Sequence, residues 1–207
     1  TTTSLIGHIL KNCGIDCVVG GNIGKAALDL KLPKKDGVIV LEMSSFQLDL
    51  CPTFSPDIGV LLNISPDHID RHGNMDNYKS AKLNIFRGAG DAVIGTDDEM
   101  AANAYKEISS AGTRFCIPIS VSNKLERGVY VQDNVLHDVL TEEDQEVFDI
   151  KISTLPGVHN HQNAAAAYAV ARRLGLKSEE IFEAMKSFPG LPHRQYLVRV
   201  INGVAYV

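Results

Sequence analysis

Two short stretches of this chain are apolar at every position: Gly37-Val38-Ile39-Val40-Leu41 and Ile58-Gly59-Val60-Leu61-Leu62. A strand with one wet face alternates polar and apolar residues. An unbroken apolar run rich in β-branched side chains therefore reads as a strand covered on both faces of a parallel sheet. Asp91-Ala92-Val93-Ile94-Gly95 repeats the signal, and Cys17-Val18-Val19 is a shorter version ending in the small-residue turn Gly20-Gly21-Asn22-Ile23-Gly24. Helical spacing lies between these runs. Leu5, Ile6, Ile9 and Leu10 mark a helix that Gly14 can terminate, a second starts near Asp76 and carries Tyr78, Ala81, Lys82, Ile85 and Phe86, and Asp97-Asp98 starts a third. Alternating strand and helix predict an α/β fold with a mostly parallel sheet flanked by helices.

From Thr113 the pattern changes. Phe115-Cys116-Ile117, Gly128-Val129-Tyr130-Val131, Asn134-Val135-Leu136 and Val147-Phe148-Asp149-Ile150 are short and turn-separated, which predicts antiparallel hairpins in a small subsheet. Helices resume after Pro156-Gly157, through the run Ala164 to Ala171, and again at Ser178, a suitable N-cap with Glu179 and Glu180 in the first turn.

With 207 residues and 44% hydrophobic content, the chain suits one globular domain. A formal charge of -5 leaves no basic face for a phosphate backbone, which argues against nucleic acid as a partner. No apolar stretch approaches the ~20 residues of a membrane span, and the start lacks a signal-peptide pattern, so a soluble, cytoplasmic protein is expected; a monomer is expected as well. Cys13, Cys17, Cys51 and Cys116 form no C-x-x-C pair and read as small buried hydrophobes in a reducing compartment. Thr1-Thr2-Thr3-Ser4 runs directly into a helical pattern, and Ala205-Tyr206-Val207 follows an Asn202-Gly203 hairpin turn, so a fragment of a longer protein is expected.

Ligands of open α/β sheets gather beyond the carboxyl ends of the strands. Glu42, Asn63 with the following Asp67 and His68, and Asn22 should therefore face one crevice. Ser44 and Gln47 fit a capping box, but a carboxylate ending a strand buried on both faces needs a positive partner such as a metal ion. Taken alone, the loop Asp67-His68-Ile69-Asp70-Arg71-His72 reads as a solvated turn. Mg²⁺ prefers oxygen, so a magnesium site rests mainly on Glu42. By spacing, Lys82 is a lysine snorkelling from a core-facing stripe, and Asn160 and Asn163 share a face at the start of a helix as N-cap and first-turn residues. Arg194 suits a phosphate or a carboxylate equally.

Seven stretches in order carry a resemblance: Thr1-Thr2-Thr3 before a helix, G-G-N-I-G from Gly20, E-x-S-S-F-Q-L from Glu42, N-x-x-x-D-H-x-D-R from Asn63, S-A-K-L-x-I-F from Ser80, P-G-x-H-N-x-x-N from Pro156 and G-L-P-H-R from Gly190. The chain resembles the central ATPase domain of the Mur ligases, with Thr1-Thr2-Thr3 as the tail of a phosphate-binding loop G-T-x-G-K-S-T-T-T. The resemblance implies a P-loop-type sheet and an ATP-dependent ligase that passes through an acyl phosphate. GNIG and SSFQL point to the branch that adds D-glutamate to UDP-N-acetylmuramoyl-L-alanine in peptidoglycan synthesis. It further implies Mg²⁺ at two sites, with Glu42 and His68 as ligands and Lys82 carbamylated by CO₂ to supply a carboxylate. Asn22, Ser44 and Gln47 match contacts to the UDP-muramoyl substrate, Asn160 and Asn163 match adenine-side contacts, Arg194 a phosphate contact and Thr1 a phosphate-loop hydroxyl.

The loop lysine, glycines and metal-binding serine of that pattern are absent, as are the family's N-terminal UDP-binding and C-terminal amino-acid-binding domains. Residues 1–207 alone are therefore expected to be inactive. Sister ligases, folylpolyglutamate synthetases, which share the ATPase core, and a non-catalytic nucleotide-binding module are the alternatives; retention of Glu42, His68 and Lys82 argues against the last.

Overall fold

The computed structural model describes residues 1–141, 146–152, 154–191, 199–201 and 204–206. The chain opens with α1 (Thr2–Asn12), whose Leu5, Ile6, Ile9 and Leu10 are buried as their spacing predicts. Gly14, at φ +80°, ends it: the N–H of Gly14 bonds to Lys11 O and that of Ile15 to Leu10 O, the pattern that a left-handed glycine permits. Strands β1 (Cys17–Gly21) and β2 (Val38–Glu42) follow and pair in parallel. Then come α2 (Ser45–Leu50), β3 (Ile58–Leu61), α3 (Ile69–His72), α4 (Met75–Leu83), β4 (Asp91–Gly95), α5 (Glu99–Ser110), β5 (Cys116–Ser120), β6 (Gly128–Gln132), β7 (Val135–Val139) and β8 (Glu146–Asp149). Helices α6 (Val158–Arg173) and α7 (Ser178–Lys186) precede a final hairpin, β9 (Arg199–Ile201) and β10 (Val204–Tyr206).

A six-stranded sheet has the order β3-β4-β5-β6-β7-β8, parallel as far as β6 and antiparallel beyond. Strand β4 shows why an unbroken apolar run works here. Val93 joins the cluster containing Leu5, Ala165 and Tyr168, while Ala92 and Ile94 join the opposite cluster with Tyr78, Phe86 and Ala101. Helices thus cover both faces of a mostly parallel sheet, the α/β architecture that alternating runs predict.

Several local expectations are corrected. Strand β2 is not covered on both faces: Ile39 is 44% exposed, because Val38 and Val40 pack into the core cluster that holds α1 while, among the described residues, no helix layer covers Ile39. Cys116–Ser120 belongs to the parallel series, since α5 carries the chain back across the sheet from β4; within the six-stranded sheet the antiparallel pairings are those of β6 with β7 and β7 with β8. The loop 67–72 contains the one-turn helix α3. Ser178 is not the cap of α7; Lys177 holds that position without a side-chain hydrogen bond, and Ser178 is buried as the first helical residue. Cys51 is exposed because it ends α2 instead of lying within an element, and Cys13 and Cys116 are only partly buried. Among the described residues no helix is long and apolar enough to cross a membrane.

One buried charge ties the antiparallel part to the helices. Asp138 on β7 is 0% exposed and accepts from Tyr168 Oη at 2.9 Å, Arg172 Nε at 2.9 Å and the Leu140 N–H at 3.0 Å. A buried carboxylate this well satisfied is costly to disrupt from one side, because its partners stay behind unpaired. Asp138→Ala should lower the unfolding free energy by roughly 3–5 kcal/mol, read from the urea midpoint; an unchanged midpoint would contradict this role.

Burial, reinforced by Lys124, holds the pKa of His137 below its usual 6.5; burial, then His159, does the same for His161. The unfolded chain therefore binds protons first, and stability falls as pH drops through about 6.5. The thermal midpoint should decline between pH 7.5 and 5.5, and less steeply in a His137→Gln/His161→Gln double variant. Identical slopes would refute the assignment.

Candidate functional site

Parallel strands place their carboxyl ends along one edge, and a cavity of about 940 Å³ opens there. It lies between β2 and β3, neither of which has a second strand neighbour on that side among the described residues. The N-terminus of α1, the ends of both strands, α4 and the start of α6 all contribute to its lining.

Glu42 is the last residue of β2, and its carbonyl accepts the Asn22 N–H at 2.7 Å, which sets the end of β1 beside it. Thr3 Oγ1 lies 3.4 Å from Glu42 Oε2. Lys82 on α4 donates from Nζ to the Asn63 carbonyl at 3.0 Å, and its ammonium sits 5.2 Å from the Tyr78 ring centroid. No carboxylate pairs with Lys82 among the described residues. Helix α1 has no side-chain cap and no acid in its first turn, so no group of the helix itself offsets its partial positive charge at the cavity. A lysine and a helix N-terminus attract anions, while Glu42 offers oxygen to a cation.

Asn160 and Asn163 line the same cavity at the start of α6. Asn160 Nδ2 donates to Pro156 O at 2.7 Å, Asn163 Nδ2 to Asn160 Oδ1 at 3.0 Å, and Thr2 Oγ1 to Asn163 Oδ1 at 2.6 Å.

Helix α2 begins with the expected capping box: Ser44 Oγ accepts the Gln47 N–H at 3.2 Å and the Ser44 N–H donates to Gln47 Oε1 at 2.9 Å. Buried Ser45 lines the cavity and its Oγ lies 3.0 Å from His72 Nε2. His68 adopts the left-handed conformation at φ 51°, uncommon for a residue with a side chain. Asp67 holds it there, accepting the His68 N–H at 2.9 Å, and the His68 ring is 5.0 Å from that of Phe46.

The structure therefore gathers Thr1, Glu42, Lys82, Asn160 and Asn163 around one cavity. Asn22, Ser44, Gln47 and His68 are outside its lining, and Arg194 lies outside the described residues. Among the described residues no three of His, Cys, Asp and Glu stand close enough to hold a metal ion. Two side chains that brace the elements around the cavity escaped the sequence. Asp97, one residue before the true N-cap Asp98, instead accepts Ser120 Oγ at 2.6 Å and the Val121 N–H at 3.0 Å. Gln162 donates to Leu62 O at 3.1 Å and so holds the end of β3 against α6. Long-range partners of this kind leave no periodic signal.

The Mur ligase middle domain family matches residues 1–171. The whole chain aligns with UDP-N-acetylmuramoylalanine–D-glutamate ligases: 49% identical to that of Phenylobacterium zucineum, 48% to that of Caulobacter vibrioides and 46% to that of Rhodospirillum rubrum. It spans 44–45% of the length of these relatives. Among solved structures, a UDP-N-acetylmuramoyl-L-alanyl-D-glutamate–2,6-diaminopimelate ligase superposes with a TM-score of 0.77 at 19% identity, over 97% of this chain and 46% of that one. The MurF ligase of Thermotoga maritima in complex with ADP gives 0.70 at 19% identity, over 99% of this chain and 49% of that one. At these identities the structural likeness establishes the fold.

Proposed function

The chain belongs to the Mur ligase family, and we propose that it is the nucleotide-binding core of an ATP-dependent ligase joining D-glutamate to UDP-N-acetylmuramoyl-L-alanine. The observation that carries this reading is the single cavity at which the α1 N-terminus, Glu42 and Lys82 meet. Relatives 46–49% identical bear the name of the D-glutamate ligase, which favours that branch over its sisters. A neighbour of the same fold is described in complex with ADP, in keeping with ATP as the co-substrate.

In the proposed reaction an oxygen of the alanine carboxylate attacks the γ-phosphorus of ATP, the bond to the bridging oxygen breaks, and ADP leaves. The amine of D-glutamate then attacks the acyl carbon; the tetrahedral intermediate expels phosphate, and the amine's proton passes to solvent or a base. Little covalent chemistry falls to the protein, so its task is alignment and charge neutralisation. The first-turn N–H groups of α1 hold phosphate oxygens. Thr1 adds a hydroxyl, and Asn160 and Asn163 face the base. Ser44, Gln47 and Asn22 orient the UDP-muramoyl substrate from α2 and the end of β1, and Arg194 is assigned to phosphate.

Glu42 and the threonine hydroxyls are oxygen donors that would hold Mg²⁺, a cation that can be bound through one or two carboxylates plus phosphates, in keeping with a site without three protein acids among the described residues. When bound, Mg²⁺ offsets the phosphate charge. His68 is assigned as a further ligand, and Lys82, unpaired with any described carboxylate, as the amine that takes up CO₂ and releases a proton to become a carbamate.

In the full-length protein, Lys82→Ala should reduce phosphate release with ATP, UDP-muramoyl-alanine and D-glutamate by roughly a hundredfold or more. Acetate or formate, replacing the missing carboxylate, should restore part of it. Wild-type turnover in Lys82→Ala would remove Lys82 from the mechanism.

A further inference from the structure

We infer that Thr2 is a positioning residue that sets the purine preference of the cavity, through a hydrogen-bond relay of Thr2, Asn163, Asn160 and the Pro156 carbonyl; the inference rests on the nucleotide reading above. The relay has only one polarity. A carbonyl can only accept, so Asn160 must turn its Nδ2 toward Pro156 O, at 2.7 Å. That leaves Asn160 Oδ1 facing Asn163, which answers with Nδ2 at 3.0 Å. Asn163 Oδ1 then faces Thr2, whose hydroxyl donates at 2.6 Å. Flipping either amide would set oxygen against oxygen. Asn160 is buried and its backbone N–H is tied to Gly157 O at 3.0 Å, so one end of the relay is rigid. Thr2 closes the other end.

Each amide keeps one N–H beyond those the relay uses, and both side chains line the cavity. A base is read by the order of donors and acceptors along its edge: adenine offers an amino group where hypoxanthine offers a carbonyl. Fixed amides present one such order; amides free to rotate present both. Thr2 thus links the first turn of α1, where phosphates would bind, to the residues that face the base, although 161 positions separate it from Asn163.

The test uses the full-length protein with Mg²⁺ and compares Kd for ATP and for ITP. Thr2→Val, nearly isosteric, should lower the ATP-over-ITP preference roughly threefold to tenfold, the worth of one neutral hydrogen bond. Thr2→Ala, which removes the hydroxyl with a strong helix former, should do the same, and Thr2→Ser should retain the preference. A purely structural role would weaken both nucleotides equally. That result, or an unchanged preference in Thr2→Val, overturns the relay while leaving the nucleotide reading intact. Failure of the wild-type protein to bind either nucleotide overturns both.

Discussion

Parallel pairing is the constraint from which the site follows. Because β1 runs with β2, and β3 with β4 and β5, the residues that end these strands share one edge. Glu42 and Asn63 arrive there from separate sheets, and Asn22 is drawn beside Glu42 through its backbone. Antiparallel pairing would alternate the ends and scatter them. The same geometry requires return crossings, and α4, on the crossing from β3 to β4, supplies Lys82; α6, which follows β8, adds Asn160 and Asn163.

Charge within the cavity is divided by element. The α1 N-terminus is positive, Glu42 and the carbamate proposed at Lys82 are negative, and the α6 amides are neutral but polarised. Such a division suits a polyanion carried with a divalent cation, the phosphates on α1, the cation at the carboxylates and a neutral base at one end.

Much of this was legible in the chain because it depends on local pattern. The run at β4 needs both faces buried, and both are; the Ser44 and Gln47 spacing makes the capping box, and it forms. Asn160 and Asn163 share a helix face because residues three apart do. What was not legible depends on neighbours. Ile39 lies inside an apolar run as Val93 does, yet it is exposed, since exposure is decided by which helices cross the strand. The direction of β5 is set by α5 upstream, not by its own residues. Asp97 and Asp98 are equivalent as sequence, and only the backbone turn makes one a cap and the other a brace for β5. His68 lies outside the cavity lining because Asp67 and Phe46 hold its loop, contacts that no spacing rule contains.

The central claim is that one cavity gathers the phosphates and a divalent cation between the start of α1 and Glu42. A crystal structure of the full-length protein with Mg²⁺ and a non-hydrolysable ATP analogue tests it most directly. The account predicts phosphate oxygens on the first-turn N–H groups of α1 and a magnesium ion about 2.1 Å from a Glu42 carboxylate oxygen. Phosphates bound away from α1, or a Glu42 that faces no cation, would contradict it.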